Sequence, residues 1–197
     1  MSKSRHEITR DDIITMDAYA AERKDRRRRI SAIKKDRRVH VGPDATFYFE
    51  NYDTMWHQIH EMLYIEQGGE EQIADELAAY NPLIPKGREL VATLMFEIED
   101  ERRRTAFLAG LGGVEETVTI EFGGHVVKGV PEADVDRTTA DGKASSVQFL
   151  HFPFTDEQVA AFRAPETKAT IGIDHPKYGH MAKLSEETRA ALGQDFD

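Results

Sequence analysis

The most regular alternation of apolar and polar residues lies at 89–99. There Leu90, Ala92, Leu94, Phe96 and Ile98 form one wholly apolar face, while Val91, Thr93, Met95, Glu97 and Glu99 form a second face that grades from apolar to acidic. That period of two predicts a strand. Residues 45–50 alternate in the same way, with Ala45, Phe47 and Phe49 against Thr46, Tyr48 and Glu50. From Asn51 the period changes. Tyr52, Met55, Trp56, Ile59, Met62 and Leu63 recur at helical spacing, and Gly68-Gly69 supply a stop. On this helix Thr54, Gln58 and Glu61 form a stripe flanking the apolar face. His57, His60 and Tyr64 fall opposite that face, which predicts a solvated side. Glu66 falls within the apolar face near the helix end, where a carboxylate must be solvated or paired.

The same reading organises the rest of the chain. Thr9, followed by Asp11 and Asp12, predicts the start of a long basic helix spanning 9–38. If that helix is continuous, Tyr19, Ile30 and Ile33 share a stripe with Arg23 and Arg26. These arginines then need acceptors on the core side, a role suited to the planar guanidinium. Val39-His40-Val41 and Gly42-Pro43-Asp44 predict a strand and a turn leading into 45–50. Helices are predicted at 70–80, 100–111, 155–162 and from about Ser185. Strands are predicted at 114–122, 125–130, 145–154 and 168–174, followed by a turn at 174–179. Residues 131–144 read as a surface loop. The predicted fold is α+β in one domain over 1–197, a mainly antiparallel sheet with helices packed on one face and the basic helix across it.

Charge sharpens this picture. Residues 23–38 carry ten Lys/Arg against two Asp, a local +8 inside a chain of net −10, so the remainder carries −18. Such asymmetry points to a basic element facing an acidic body or an acidic partner. The acidic remainder, with no aromatics interleaved among the basic residues, argues against nucleic acid. The absence of cysteine excludes disulfides, thiolate nucleophiles and Cys-held zinc or iron–sulfur clusters. No apolar run approaches a membrane span, and the first residues carry no apolar signal core, so a cytoplasmic location is expected.

Phosphate-loop, dinucleotide, His-Glu-x-x-His and nucleophile-elbow motifs are all absent. Candidate chemistry therefore rests on polar residues in costly places. Glu50, Gln58, Glu61 and Glu97, with Arg23 and Arg26, are the candidate ligand-binding set. Glu50, Glu97, Asp174 and His175 lie at strand ends or on the polar sheet face. If those strands are neighbours, their rim either holds a divalent metal or receives the arginines in an ion-pair network. The ion-pair network is the favoured outcome. No nucleophile accompanies Asp174-His175, so no catalytic triad is assigned.

Several segments together resemble a bacterial family catalogued as domain of unknown function thirty-five-zero-one. They are Phe49-Glu50-Asn51, Gln58-Ile59-x-Glu61-Met62, Tyr80-Asn81-x-Leu83-Ile84-Pro85, Ala92-Thr93-Leu94-Met95 and Asp174-His175-Pro176-x-Tyr178. Tyr19, Arg23, Lys34-Lys35, Arg37-Arg38 and Gly42-Pro43 extend the likeness to the basic start. The resemblance implies a setting beside a rubrerythrin-like protein and an iron–sulfur oxidoreductase, in a redox or oxidative-stress role. Glu50, Gln58, Glu61, Asp174 and His175 match the pattern, whereas His57 and His60 do not. The sequence reading is thus a non-catalytic accessory that docks a protein partner of a redox module and carries no cofactor itself. The alternative is a metal- or small-anion-binding enzyme acting at the sheet rim.

Overall fold

The computed structural model of the chain describes residues 5–132 and 142–197. Six helices and nine strands are described: α1 (Met16–Lys35), β1 (Arg38–Val41), β2 (Ala45–Glu50), α2 (Tyr52–Glu66), α3 (Gly69–Tyr80), β3 (Glu89–Phe96), α4 (Glu101–Leu108), β4 (Val118–Phe122), β5 (His125–Lys128), β6 (Val130–Pro131), β7 (Val147–Pro153), α5 (Asp156–Arg163), β8 (Ala169–His175), β9 (Tyr178–Lys183) and α6 (Glu186–Leu192). The class is α+β. The strands are shared between two wholly antiparallel sheets, one ordered β1-β2-β3-β7-β6 and the other β5-β4-β8-β9.

The strand alternation explains the layering. Phe47, Ala92, Leu94, Leu150 and Phe152 of the first sheet meet Ile120, Val127, Ile171 and Ile173 of the second in one continuous apolar core. Burying each large side chain there contributes on the order of 2 kcal/mol. Leu108 and Leu111 extend this core at and beyond α4, as do Phe162 of α5, Leu192 of α6 and Phe196. The first sheet is apolar on its outer face as well. Val91 and Phe149 join Ile13, Met55, Ile59, Leu63, Ile73 and Ile84 in a second core beneath α2 and α3.

One hydroxyl ties the two sheets together. Tyr178 at the start of β9 donates to the carbonyl of Val41 (2.7 Å) and accepts the backbone N–H groups of Asp44 and Ala45 (3.0 Å each). Gly42 makes this approach possible. Its φ is +69°, and a Cβ there would lie 2.6 Å from the His180 ring and 2.7 Å from the Tyr178 hydroxyl.

Four local readings are corrected by the fold. The first helix begins at Met16 with Thr15 as its N-cap, because Thr9 and Asp12 close only a single 3-10 turn and the chain is extended at Ile13. Gln67 takes the left-handed cap position (φ 55°) expected of Gly68-Gly69. The strand predicted from 114 begins at Val118, after a 3-10 turn over Val114–Thr117. The predicted turn after Asp174 is a hairpin leading into β9, a strand whose outward Gly179, Met181 and Lys183 hide its alternation. Of the predicted loop 131–144, residues 133–141 lie outside the described residues.

Candidate functional site

The richest assembly of polar side chains lies in the seam between α1 and α2. Its origin is the pattern of α1: Tyr19, Arg23, Arg26, Ile30 and Ile33 recur on one side of an unbroken helix of 20 residues. That side faces α2, so the two arginines are on the inner side and need acceptors. Helix α2 is consequently covered on both flanks. Met55, Ile59 and Leu63 face the sheet and α3, while Trp56, His57, His60 and Tyr64 meet α1.

Glu61 is the centre of the seam. Its Oε1 accepts from Arg23 Nε (2.9 Å) and from the Tyr19 hydroxyl (2.6 Å), and its Oε2 accepts from Arg23 Nη2 (2.8 Å). The bidentate Arg23 bond, aided by Tyr19, holds the Glu61 carboxyl down at about 2. Burial first, then the bond to Glu61, pushes the Tyr19 hydroxyl well above its ordinary value. Because Tyr19 gives its only proton to Glu61, its oxygen is left to accept from His57 Nδ1 at 3.2 Å. This assigns the Nδ1–H tautomer to His57 and leaves a lone pair on Nε2.

His60 is fixed more completely and is fully buried. Its Nδ1 lies 2.7 Å from the Trp56 carbonyl, which can only accept, so Nδ1 carries the proton. Its Nε2 accepts the backbone N–H of Ile14 at 3.2 Å. Protonation would place a second N–H against that donor. Burial, reinforced by the charge of Arg26, lowers His60 to about 4. The ring stacks on Trp56 at 3.6 Å, and the Arg26 guanidinium sits 4.5 Å from the Trp56 ring centre. Arg23 covers Tyr64 similarly at 4.6 Å.

Of the residues predicted from sequence, Arg23 and Glu61 are thus joined directly, and Arg26 pairs with Glu22 (2.7 Å) and covers Trp56. Gln58 is half-buried on α2, about one turn before Glu61. The other acids do not come together. Glu50 is opposite Val91 at one end of the β2–β3 pair, whereas Glu97 follows Phe96 at the other end. Glu50 is buried and bonded to the hydroxyls of Thr54 (2.6 Å) and Thr93 (2.9 Å). Glu97 is exposed and accepts from the Tyr48 hydroxyl (2.9 Å). Asp174 and His175 end β8 in the second sheet, with Asp174 exposed opposite Gly179 and His175 Nδ1 accepting the Lys177 N–H (3.2 Å). The expected rim of Glu50, Glu97, Asp174 and His175 is therefore taken apart by strand register and by the division into two sheets. Among the described residues no group of three His, Asp or Glu side chains is placed to hold a metal ion. Glu66 is exposed and accepts from Gln72 (2.8 Å).

The solvated side predicted for α2 is a correction of another kind. His60 is wholly buried, and His57 and Tyr64 are half-buried, because α1 covers that flank. The clue lay on α1, whose narrow stripe of Tyr19, Ile30 and Ile33 requires a partner surface. Two further arrangements escaped sequence reasoning because their members are far apart in the chain. Arg37 is buried, ion-paired with Asp195 and bonded to the carbonyls of Phe49 (3.0 Å) and Glu50 (3.1 Å). His151 on β7 is held between Glu89 of β3 (2.9 Å) and Glu132 beyond β6 (2.8 Å). The bond to Glu89, then that to Glu132, raises the His151 pKa. Each carboxylate occupies a different ring nitrogen, so the trio forms a bridge and leaves neither nitrogen for a shared cation.

Fold and seam together define an α+β protein, two antiparallel sheets overlaid by a helical layer that a half-buried arginine–glutamate–tyrosine bond network fastens down. The chain belongs to the family described as Protein of unknown function (DUF3501), whose model matches residues 7–196. It is also similar to a solved structure from Burkholderia pseudomallei K96243, described as a novel protein of unknown function. The two chains are 38% identical, the match covers 96% of this chain and 99% of that one, and the TM-score is 0.89. Among curated proteins none matches. No helix among the described residues is long and apolar enough to cross a membrane.

Proposed function

We propose that this chain is a non-catalytic docking protein that presents the outward face of α1 to an acidic surface of a protein partner. The observation that carries this reading is the two-sided character of α1. Its inner face is fixed by Arg23–Glu61 and by Arg26 on Trp56, while Lys24, Arg28 and Lys35 recur on the exposed face with Arg27 and Arg29 beside them. The ion pairs that α1 makes among the described residues are Arg23–Glu61, Arg26–Glu22 and Arg28–Asp25, the last at 3.5 Å between exposed groups. A helix of this length spans about 30 Å. Held against the body, it offers positive charge without the entropy cost of ordering a loose segment on binding.

The partner class comes from the family resemblance: a cytoplasmic redox module with an iron–sulfur oxidoreductase and a rubrerythrin-like protein. With no cysteine in the chain, thiolate-held clusters would reside on that partner. Co-purification with the oxidoreductase tests the reading. Binding should weaken as salt rises from about 0.01 M to 0.15 M, where the screening length contracts from roughly 30 to 8 Å. Lys24→Glu/Arg28→Glu should weaken it by roughly tenfold or more, chiefly by slowing association. Binding that ignores both salt and charge reversal would overturn the proposal.

A further inference from the structure

The buried Arg37–Asp195 pair lines a cavity of about 450 Å³, a size that suits a small molecule. One wall is the start of α2. There the N–H groups of Tyr52 and Asp53 come too early for bonds within the helix. The Asn51 amide accepts from the Thr54 N–H through Oδ1 (3.0 Å), and its Nδ2 has no acceptor among the described residues. Arg5 completes this wall, paired with Asp53 (2.8 Å) and lying 5.0 Å from the Tyr52 ring centre. The other wall is the segment 194–197, with the carboxylates of Asp195 and Asp197 and the exposed amide of Gln194. His6 joins that segment at the rim, between the Pro85 carbonyl (2.7 Å) and Asp197 (3.0 Å).

Two buried groups in this lining have bonding capacity left over. The Asp195 side chain is only 6% exposed. Its Oδ2 accepts from Arg37, and its Oδ1 has no donor among the described residues. Burial outweighs Arg37 and pushes the Asp195 carboxyl above its ordinary value, as befits a carboxylate short of positive charge. Arg37 Nη1 donates only to the Ala191 carbonyl at 3.5 Å, so one of its N–H groups is unspent. Tyr52, Pro85 and Phe196 add apolar surface to the same cavity.

We propose that this cavity binds a free amino acid with an apolar side chain, its ammonium group on Asp195 and its carboxylate at the start of α2. The ammonium group donates to Asp195 Oδ1, the buried acceptor without a donor. The carboxylate accepts from Asn51 Nδ2 and the first N–H groups of α2, where the helix end favours negative charge. The side chain covers the apolar part of the lining. A ligand with one charge fits less well, because an anion alone meets Asp195 and Asp197 and a cation alone meets Arg5 and Arg37. A zwitterion satisfies both walls. None of the lining comes from α1, so a protein docked on the outward face of that helix neither fills the site nor is needed by it.

Nuclear magnetic resonance of the full chain tests this, with leucine as the probe beside isoamylamine, which lacks its carboxylate, and isocaproate, which lacks its ammonium group. Leucine should shift the amide signals of Tyr52 and Gln194 saturably, and each analogue should bind roughly tenfold more weakly or worse. Asn51→Asp keeps a good helix cap but sets a carboxylate against that of the ligand. It should weaken leucine by roughly tenfold or more while the melting temperature stays that of the parent. Asp195→Asn should abolish binding, and if loss of the Arg37 pair unfolds that variant, Asn51→Asp decides alone. Phenylalanine acting like leucine would support the site and its apolar lining. No saturable shift with leucine at millimolar concentration, an analogue binding as tightly as leucine, or undiminished binding in Asn51→Asp would each overturn the proposal.

Discussion

Single side chains in the seam carry opposite dependences on pH. His60 is neutral in the fold, with both ring nitrogens committed, and its folded value of about 4 lies below its ordinary 6.5. Between those values the unfolded chain binds a proton that the folded chain does not. The stability linked to His60 is therefore present above pH 6.5 and is lost as pH falls toward 4, by on the order of 2–3 kcal/mol. Urea unfolding at pH 7 and pH 4.5 should show this loss, and His60→Gln should remove that part of it. His151 behaves oppositely. Its folded value is raised by Glu89 and Glu132, so the bridge contributes fully below its unfolded value and is lost as pH rises through the folded one. Amide exchange at β6 measured on either side of that transition should quicken on the alkaline side. Glu61→Ala leaves Tyr19 and Arg23 without their shared acceptor, and equilibrium unfolding should register a loss of about 2–4 kcal/mol.

Elements cohere here through pairings that differ in how visible they are in a sequence. The strands at 45–50 and 89–96 and the helix from Tyr52 were legible because each has one apolar face with a clear period. The inward lean of Arg23 and Arg26 was legible too, since they share a stripe with Tyr19 and Ile30. Their acceptor was less so. Glu61 had been singled out on the flank of α2, but the expected meeting place was the sheet rim. Nothing local to β8 reveals that Asp174 belongs to a different sheet from Glu50 and Glu97, because sheet membership is set by long-range pairing. Equally, a helix covered on both flanks looks amphipathic when its second flank is built from Trp, His and Tyr. The hairpin of β1 and β2 depends on another such long-range contact. Tyr178→Phe would leave the N–H groups of Asp44 and Ala45 without their acceptor and should cost about 2–3 kcal/mol, measurable as a shift in the urea midpoint without a change in slope.

At the scale of the whole molecule, charge separation is the dominant fact. A +8 segment is carried on a remainder of −18, yet most of it stays on the outer side of α1 because only Arg23 and Arg26 of the helix turn toward α2. The chain should therefore orient acidic partners during approach, an effect that salt erodes. The seam also contains an indicator of its own integrity. Trp56 is the only tryptophan of the chain, and it lies between the Arg26 guanidinium and the His60 ring while donating to the Asp12 carbonyl at 2.9 Å. Its fluorescence consequently reports on the first helix and is indifferent to the core between the sheets. An emission maximum that moves to the red while the β-sheet dichroism is intact would mark α1 lifting from its bed before the rest of the protein yields.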